Sequence, residues 1–328
     1  MTVTQALDPT IRALVESAIR SPSAHNTQPW QLRVLDANSI QLVHTRDDRL
    51  PNDPNDRDVY LAHGCFVESL ILASQLHSIN VQFSPEFSEE RNSIISGTIH
   101  FSPSTSSPLV DPLAHSLAHR HTNRGPYEKR PAPALLTDDL LALGNEQLSG
   151  QQIRPLIISA YVASWNDPGF LNDLSEWLRS NSCAPDGLTR QSLRLTWTDW
   201  LALKATIRIG RVSRPAGRIL FASEINLFGS EDAAIYVLGS ASLAPPDLFE
   251  SGRRLFRSWC TIASHGWATH PMFALIDRPE TASEIARISE QQFPVAVYRA
   301  GSPRHATNPS NRHGIEHFLS RSYGALPT

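Results

Sequence analysis

The sequence predicts an α+β chain, with mixed and antiparallel sheets flanked by helices. Three observations carry this. QLRVLD and SIQLVH (31–44) are two strand-like runs around a tight turn at Ala37-Asn38, and read as a β-hairpin. A stretch from about Arg57 to Ile79 carries Val59, Ala62, Phe66, Leu70, Ala73 and His77 at three-to-four-residue spacing, the period of one helix face. A second long helix is expected from about Leu248 to Gly266, among the strand-like runs SIISGTIHF (93–101), RPLIISA (154–160), AAIYVLG (233–239) and FPVAVYR (293–299).

The remaining elements follow in order. Residues 9–20 read as a helix, with Asp8 as N-cap and Pro9 at its first position, where a missing N–H does no harm. SPSAHNTQPW (21–30) reads as a polar loop. SPSTSSP (102–108) is a Ser/Pro-rich linker, and divides the chain into expected halves 1–107 and 108–328. The second half opens on a helix near Pro112 that runs into HRHTNRGPY (119–127). A helix at about Ala134–Leu143 follows, and a short one at HGIEHFL (313–319) closes the chain.

A weak internal repeat appears on a shift of 188 positions. GCFVESLILASQLHSINV (64–81) then lies over GRRLFRSWCTIASHGWAT (252–269), with Gly64 on Gly252, Val67 on Leu255 and His77 on His265. Residues 165–232 have no counterpart in the first half. They hold Trp165, Trp177, Trp197 and Trp200, and read as an inserted helical lid.

Composition excludes several classes. With 41% hydrophobic residues, 328 residues can build a full core. A formal charge of −3 gives no global attraction to nucleic acid or to an acidic membrane. The N-terminus, broken by Pro9, lacks the apolar core of a secretory signal, and no run approaches ~18 uninterrupted apolar residues. Cys65, Cys183 and Cys260 are far apart and odd in number, which fits free thiols in a reducing cytoplasm. RLTWTDWLALKATIRIGRVSR (194–214) is basic and partly amphipathic; a lid helix packed on the body is preferred to a membrane-surface helix.

No GxGxxG after a strand, GxxxxGK[ST], GxSxG or HExxH occurs. His115, His119 and His121 lack a nearby carboxylate or Cys at ligand spacing, so no metal site is expected. In SPSAHNTQPW, Pro22 and Pro29 stiffen a loop bearing Ser23, His25, Asn26, Thr27 and Gln28. Two readings stand open: fixed donors and acceptors for a flat heteroaromatic ligand, or a turn anchored in the core by Trp30. In RHTNR (120–124), two guanidiniums and a hydroxyl within one turn suit a phosphate, or form a solvated basic helix end.

SPSAHNTQPW resembles the (A/S)-P-S-x-x-N-x-Q-P-W loop of nitroreductase-type flavoproteins. RHTNRGPY resembles that family's R-R/H-S/T-x-R/K-x-F/Y segment, and GRRLFRSWCTIASHGWATHPM its later helix, which ends in a loop at the flavin ring. The resemblance spans more than half the chain and leaves out 165–232. In the ordinary family the Arg segment comes first, and a homodimer builds two sites. Here the loop comes first, an order similar to the Acg-type branch, in which two nitroreductase-like halves are fused. The resemblance therefore implies an internal pseudo-dimer with an inserted helical lid, a monomer binding one FMN at the seam between its halves. It also implies a small-molecule substrate, NAD(P)H as electron donor, and neither nucleic-acid nor membrane partners.

Carried over by residue, the resemblance assigns Arg120, Thr122 and Arg124 to the phosphate and ribityl side of FMN. Pro22, Ser23, Asn26 and Gln28 fall against the ring and ribityl chain. Thr269, His270, Pro271 and Met272 form a loop beside the ring's pyrimidine and N5 edge, and Arg312 closes on the phosphate. Ala24 and His25 stand where the pattern often has hydroxyls. Such enzymes need an open ring face and no protein acid or base, so no catalytic side chain is nominated. The implied function is an FMN-dependent oxidoreductase; the alternative is a flavin-binding or sequestering protein with little NAD(P)H turnover.

Overall fold

The computed structural model describes residues 7–45, 50, 53–90, 92–104, 110–209 and 233–320. Among these, the helices are α1 (Pro9–Ala18), α2 (Arg57–Ser74), α3 (Ala134–Ala142), α4 (Gly150–Ser164), α5 (Pro168–Trp177), α6 (Trp197–Ile209), α7 (Pro245–Ser264) and α8 (Pro279–Ser289). The strands are β1 (Gln31–Asp36), β2 (Ser39–Thr45), β3 (Ile79–Glu90), β4 (Ser93–Pro103), β5 (Asn145–Leu148), β6 (Leu178–Arg179), β7 (Leu188–Thr189), β8 (Ala234–Ser240), β9 (Ala268–Pro271), β10 (Phe293–Gly301) and β11 (Leu319–Ser320). The class is the expected α+β with mainly antiparallel sheets.

The chain forms two compact units, each discontinuous in sequence. One comprises Met1–Leu117, Ala244–Phe256 and Arg312–Thr328; the other comprises Ala118–Leu243 and Arg257–Asn311. The expected halves, by contrast, were contiguous stretches of chain.

In the first unit, Asp8 caps α1 as expected, its carboxylate accepting from Thr10 N at 2.7 Å, with Pro9 behind it. This frees the helix to bury Ile11, Leu14, Val15 and Ala18. The hairpin forms with Leu32 opposite Leu42, and the Asp36 carboxylate closes its turn by accepting from Asn38 N and the Ser39 hydroxyl. The sheet runs β11-β1-β2-β4-β3 and is antiparallel except where β11 lies beside β1. The Asp53 carboxylate starts α2 by accepting from Asp58 N at 2.9 Å and Val59 N at 3.3 Å. By length and composition, Arg57–His77 could cross a membrane, yet 83% of its apolar window is buried inside the protein, as a core helix would be.

The N-terminal part of α7 belongs to this first unit. It meets α2 at two glycines. A Cβ on Gly64 would strike the Phe249 carbonyl and lie 3.0 Å from the Cα of Gly252; a Cβ on Gly252 would strike the Leu61 carbonyl. Arg253 Nε pairs with the buried Glu68 carboxylate at 2.9 Å, and Cys65 Sγ lies 3.2 Å from Gly252 O.

The second unit holds the sheet β5-β8-β10-β9, all pairs antiparallel, over a core of Ile153, Ile157, Leu171, Val237, Leu275, Ile285 and Val297.

Several expected elements differ. RPLIISA is not a strand but lies inside α4. Ser149 and Gln152 form a reciprocal capping box, and Ile153, Ile157 and Ala160 then fall on one buried face, so the helical period prevails despite Pro155. The long first helix stops at Ser74 and passes through a 3-10 turn; Ile79 already belongs to β3, which was not anticipated because its Ser, Pro and Glu residues mask any alternation. Near Pro112 the chain forms a 3-10 helix, Pro112–Ala118, and HGIEHFL supplies only the turn Ile315–His317 before β11. Ser102 and Pro103 of the linker end β4, and 105–109 lie outside the described residues. Of the expected lid, α5, α6 and the short β6–β7 pair are described, and 210–232 lie outside.

Candidate functional site

Within the second unit, the segment 119–127 runs beside β9, the edge strand of its sheet. Thr122 forms a parallel bridge with Thr269, and Asn123 N donates to Thr269 O at 2.9 Å. RHTNR is therefore extended, not a helical turn. Arg120, Thr122 and Arg124 are half-buried there, while Asn123 is buried. Hydrogen bonds lock the segment. Asn123 Oδ1 accepts from Gly125 N at 2.9 Å and from Arg194 Nη1 at 3.3 Å, and Asn123 Nδ2 donates to His305 O at 3.0 Å. The Tyr127 hydroxyl donates to Asn123 O at 2.8 Å, and Arg304 Nε donates to Tyr127 O at 2.8 Å. His121 Nδ1 faces His119 O and must donate, so Nε2 accepts from the Thr307 hydroxyl at 2.9 Å. Arg124 Nη1 donates to Ser192 O at 3.0 Å.

Thr269, His270 and Pro271 lie on β9 and Met272 just after it, where a loop was expected; pairing with β10 explains this. Thr269, His270 and Met272 are buried, and Pro271 is half-buried. Opposite His270 on β10 is Arg299, a residue the sequence reading passed over as part of a buried strand. It is fully buried, which makes a charge on an otherwise apolar strand the one available signal. Its Nη2 donates to Gly125 O at 2.6 Å, its Nε donates to His270 Nδ1 at 3.2 Å, and its guanidinium lies 4.3 Å from the centre of the Tyr127 ring. Burial, then the charges of Arg299 and Arg124, hold His270 well below the usual imidazole range, so it is neutral with the proton on Nε2. Burial likewise pushes the Tyr127 phenol up.

The first unit brings together the other candidates. Residues 24–26 form a 3-10 turn, and His25, Asn26 and Gln28 have φ of 49°, 60° and 55°. Three non-glycine residues in the left-handed region within four positions store strain, a feature that clusters at functional sites. The loop is held from several sides. Gln28 N donates to Ser23 Oγ at 3.0 Å, Gln28 Nε2 donates to Asn26 O at 3.2 Å, and His313 N donates to Gln28 Oε1 at 3.1 Å. Arg312 donates to Ile19 O and Ser21 O, each at 3.2 Å, so the guanidinium expected at a phosphate also braces the loop's entry. Pro22 and Ser23 are half-buried, Asn26 and Gln28 buried. Trp30 is fully buried, its ring 5.3 Å from that of Phe66. His63 on α2, also missed, receives the loop's end. Its Nε2 donates to Pro29 O at 2.9 Å and its Nδ1 accepts from the Ser96 hydroxyl at 2.7 Å. Burial pushes its pKa down to about 3.

Among the described residues, no group of three or more His, Cys, Asp or Glu could hold a metal ion. Cys65 and Cys260 are buried thiols and Cys183 is exposed.

Fold and site together define an α+β protein with two mainly antiparallel larger sheets, half-buried Arg120, Thr122 and Arg124 on one unit and a strained polar loop on the other. Over 177 residues the chain is 28% identical to two Mycobacterium tuberculosis proteins, from strains CDC 1551 and H37Rv, each named provisionally as an NAD(P)H nitroreductase. The match covers 51% of this chain and 51% of each relative, so the chain spans about half the length of the curated relatives it matches. No family model matches. The chain is also similar to the crystal structure of a mutant of NfnB, an FMN- and NADPH-dependent nitroreductase from Sphingopyxis sp. strain HMH, with a TM-score of 0.37 and 18% identity over 63% of this chain and 97% of that one.

Proposed function

We propose that the protein is an FMN-dependent oxidoreductase of the nitroreductase kind, which takes electrons from NAD(P)H and passes them to a small organic acceptor such as a nitroaromatic or a quinone. The observation that carries this is the pairing of Thr122 with Thr269. It sets two segments distant in sequence side by side within one unit, with Arg120 and Arg124 half-exposed around a hydroxyl. This donor set fits a phosphate monoester: two fixed cations deliver charge-assisted hydrogen bonds, and Thr122 adds a neutral one.

When bound, FMN supplies the hydride and electron chemistry. The chain's own residues bind and orient. Arg120, Thr122 and Arg124 hold the phosphate end. The loop with Pro22, Ser23, Asn26 and Gln28 is braced before any ligand arrives, so it offers donors and acceptors at little ordering cost. No side chain is required as acid or base, and neutral His270 adds no charge beside the ring.

The reciprocal meeting of Gly64 and Gly252 supports the internal duplication as well. Each glycine faces the carbonyl three residues before the other, as self-complementary helices do across a two-fold axis. A monomer with one FMN follows from that reading.

The test is direct. Purified protein is examined by visible spectroscopy, the released flavin is identified, and NADH or NADPH is added without oxygen. Rapid loss of the flavin band upholds the oxidoreductase. A flavin that bleaches only with dithionite makes the protein a flavin binder, and absence of flavin overturns the proposal.

A further inference from the structure

Among the described residues of the second unit, Arg299 is the largest charged side chain buried completely, and it lies on β10, facing inward. A guanidinium there is costly to desolvate, so its partners define what it does. Those partners are the carbonyl of Gly125, at the end of the basic segment, and the imidazole of His270, on the strand that segment is bridged to. The ring of Tyr127 packs against the cation, and the hydroxyl of that ring returns to Asn123 O. Two contacts from this one buried group therefore reach the segment that carries Arg124, a third reaches β9, and the Tyr127 hydroxyl extends the link to Asn123 between Thr122 and Arg124.

We propose that Arg299 is the positioning residue of the cofactor-binding face. Its planar fork ties the 120–127 segment to β9, and so fixes where Arg120, Thr122 and Arg124 present their donors. It touches no ligand itself. The inference rests on the flavin reading above and extends it to a residue outside the recognised motifs. The fork geometry explains why arginine stands here: two donors in one plane reach Gly125 and His270 at once, whereas a lysine ammonium reaches them as a point charge. Burial first, and then the Arg299 cation together with Arg124, opposes protonation of His270.

The test uses the full chain with Arg299→Met and Arg299→Lys. FMN and inorganic phosphate are titrated against each, and the imidazole signal of His270 is followed by NMR from pH 5 to 8, with the Gly125 amide as a second reporter. In the wild type His270 does not titrate. In Arg299→Met, FMN affinity falls about tenfold or more, as expected when charge-assisted contacts lose their alignment, and the Gly125 amide and His270 ring signals shift. Arg299→Lys falls between the two, because it retains the charge and loses the fork. FMN binding within twofold of wild type in either folded variant overturns the proposal. If Arg299→Met does not fold, Arg299→Lys decides by the same criteria. If the wild type binds no FMN, the flavin reading fails by itself. Positioning is then judged from the lysine variant: displaced Gly125 and His270 signals uphold it, and unchanged signals overturn it.

Discussion

Gly64 on α2 and Gly252 on α7 meet face to face, each beneath a carbonyl of the opposite helix: Phe249 O above Gly64 and Leu61 O above Gly252. The contact is reciprocal under the same shift of 188 positions that aligns the two helices in sequence, since that shift also carries Leu61 onto Phe249. Hydrogen is the largest side chain that fits at either position. An alanine in a helix interior usually stabilises relative to glycine by roughly 0.5–1 kcal/mol. Here Gly64→Ala and Gly252→Ala should instead destabilise, by about 1–3 kcal/mol or more, because the added methyl strikes backbone. Urea unfolding of both single variants and the double checks this. The double should be less unfavourable than the sum, since one separation of the helices relieves both clashes.

Arg120→Ala should weaken FMN far more than riboflavin. Loss of a charge-assisted hydrogen bond to phosphate is worth roughly 1.5–3 kcal/mol, or about 10- to 150-fold in affinity. Isothermal titration with both flavins measures it; equal losses would place Arg120 away from the phosphate.

His63 makes a pH-dependent contribution to stability. Its pKa is about 3 in the fold, against an ordinary value of 6.5, because burial disfavours the cation. Between those values the unfolded chain binds the extra proton. The contribution is therefore full above about pH 6.5 and is lost as pH falls toward 3, at a slope approaching roughly 1.4 kcal/mol per pH unit. Denaturation of wild type and His63→Gln at pH 4.5, 6 and 7.5 should show the wild type losing stability faster on acidification. Parallel curves would contradict it.

Ser149→Ala tests the helix that replaced an expected strand. Ser149 accepts from Gln152 N, and Gln152 Oε1 accepts from Ser149 N at 3.2 Å. Removing the cap should lower stability by about 0.5–2 kcal/mol, read from thermal or urea unfolding.

Light scattering should find a monomer, and flavin quantitation one FMN per chain. Two flavins per chain would contradict the fused-halves reading.

What the sequence determined by itself is what neighbours along the chain decide. The Asp8–Pro9 start of α1 and the turn of the β1–β2 hairpin depend on residues within three or four positions, so composition and spacing sufficed. The resemblance likewise assigned the candidate site residues to three short motifs and Arg312. Only the tertiary structure decided the rest. RPLIISA is a short apolar run whose period is ambiguous until Ser149 caps it and the core receives Ile153 and Ile157. RHTNR became extended because Thr269, 147 positions after Thr122, offers it a strand edge. His63 and Arg299 carry no motif at all: one is a histidine within an apolar helix, the other an arginine at the end of an apolar strand. Their meaning comes from the carbonyls of Pro29 and Gly125 that folding brings to them, and long-range backbone acceptors leave no trace in local spacing.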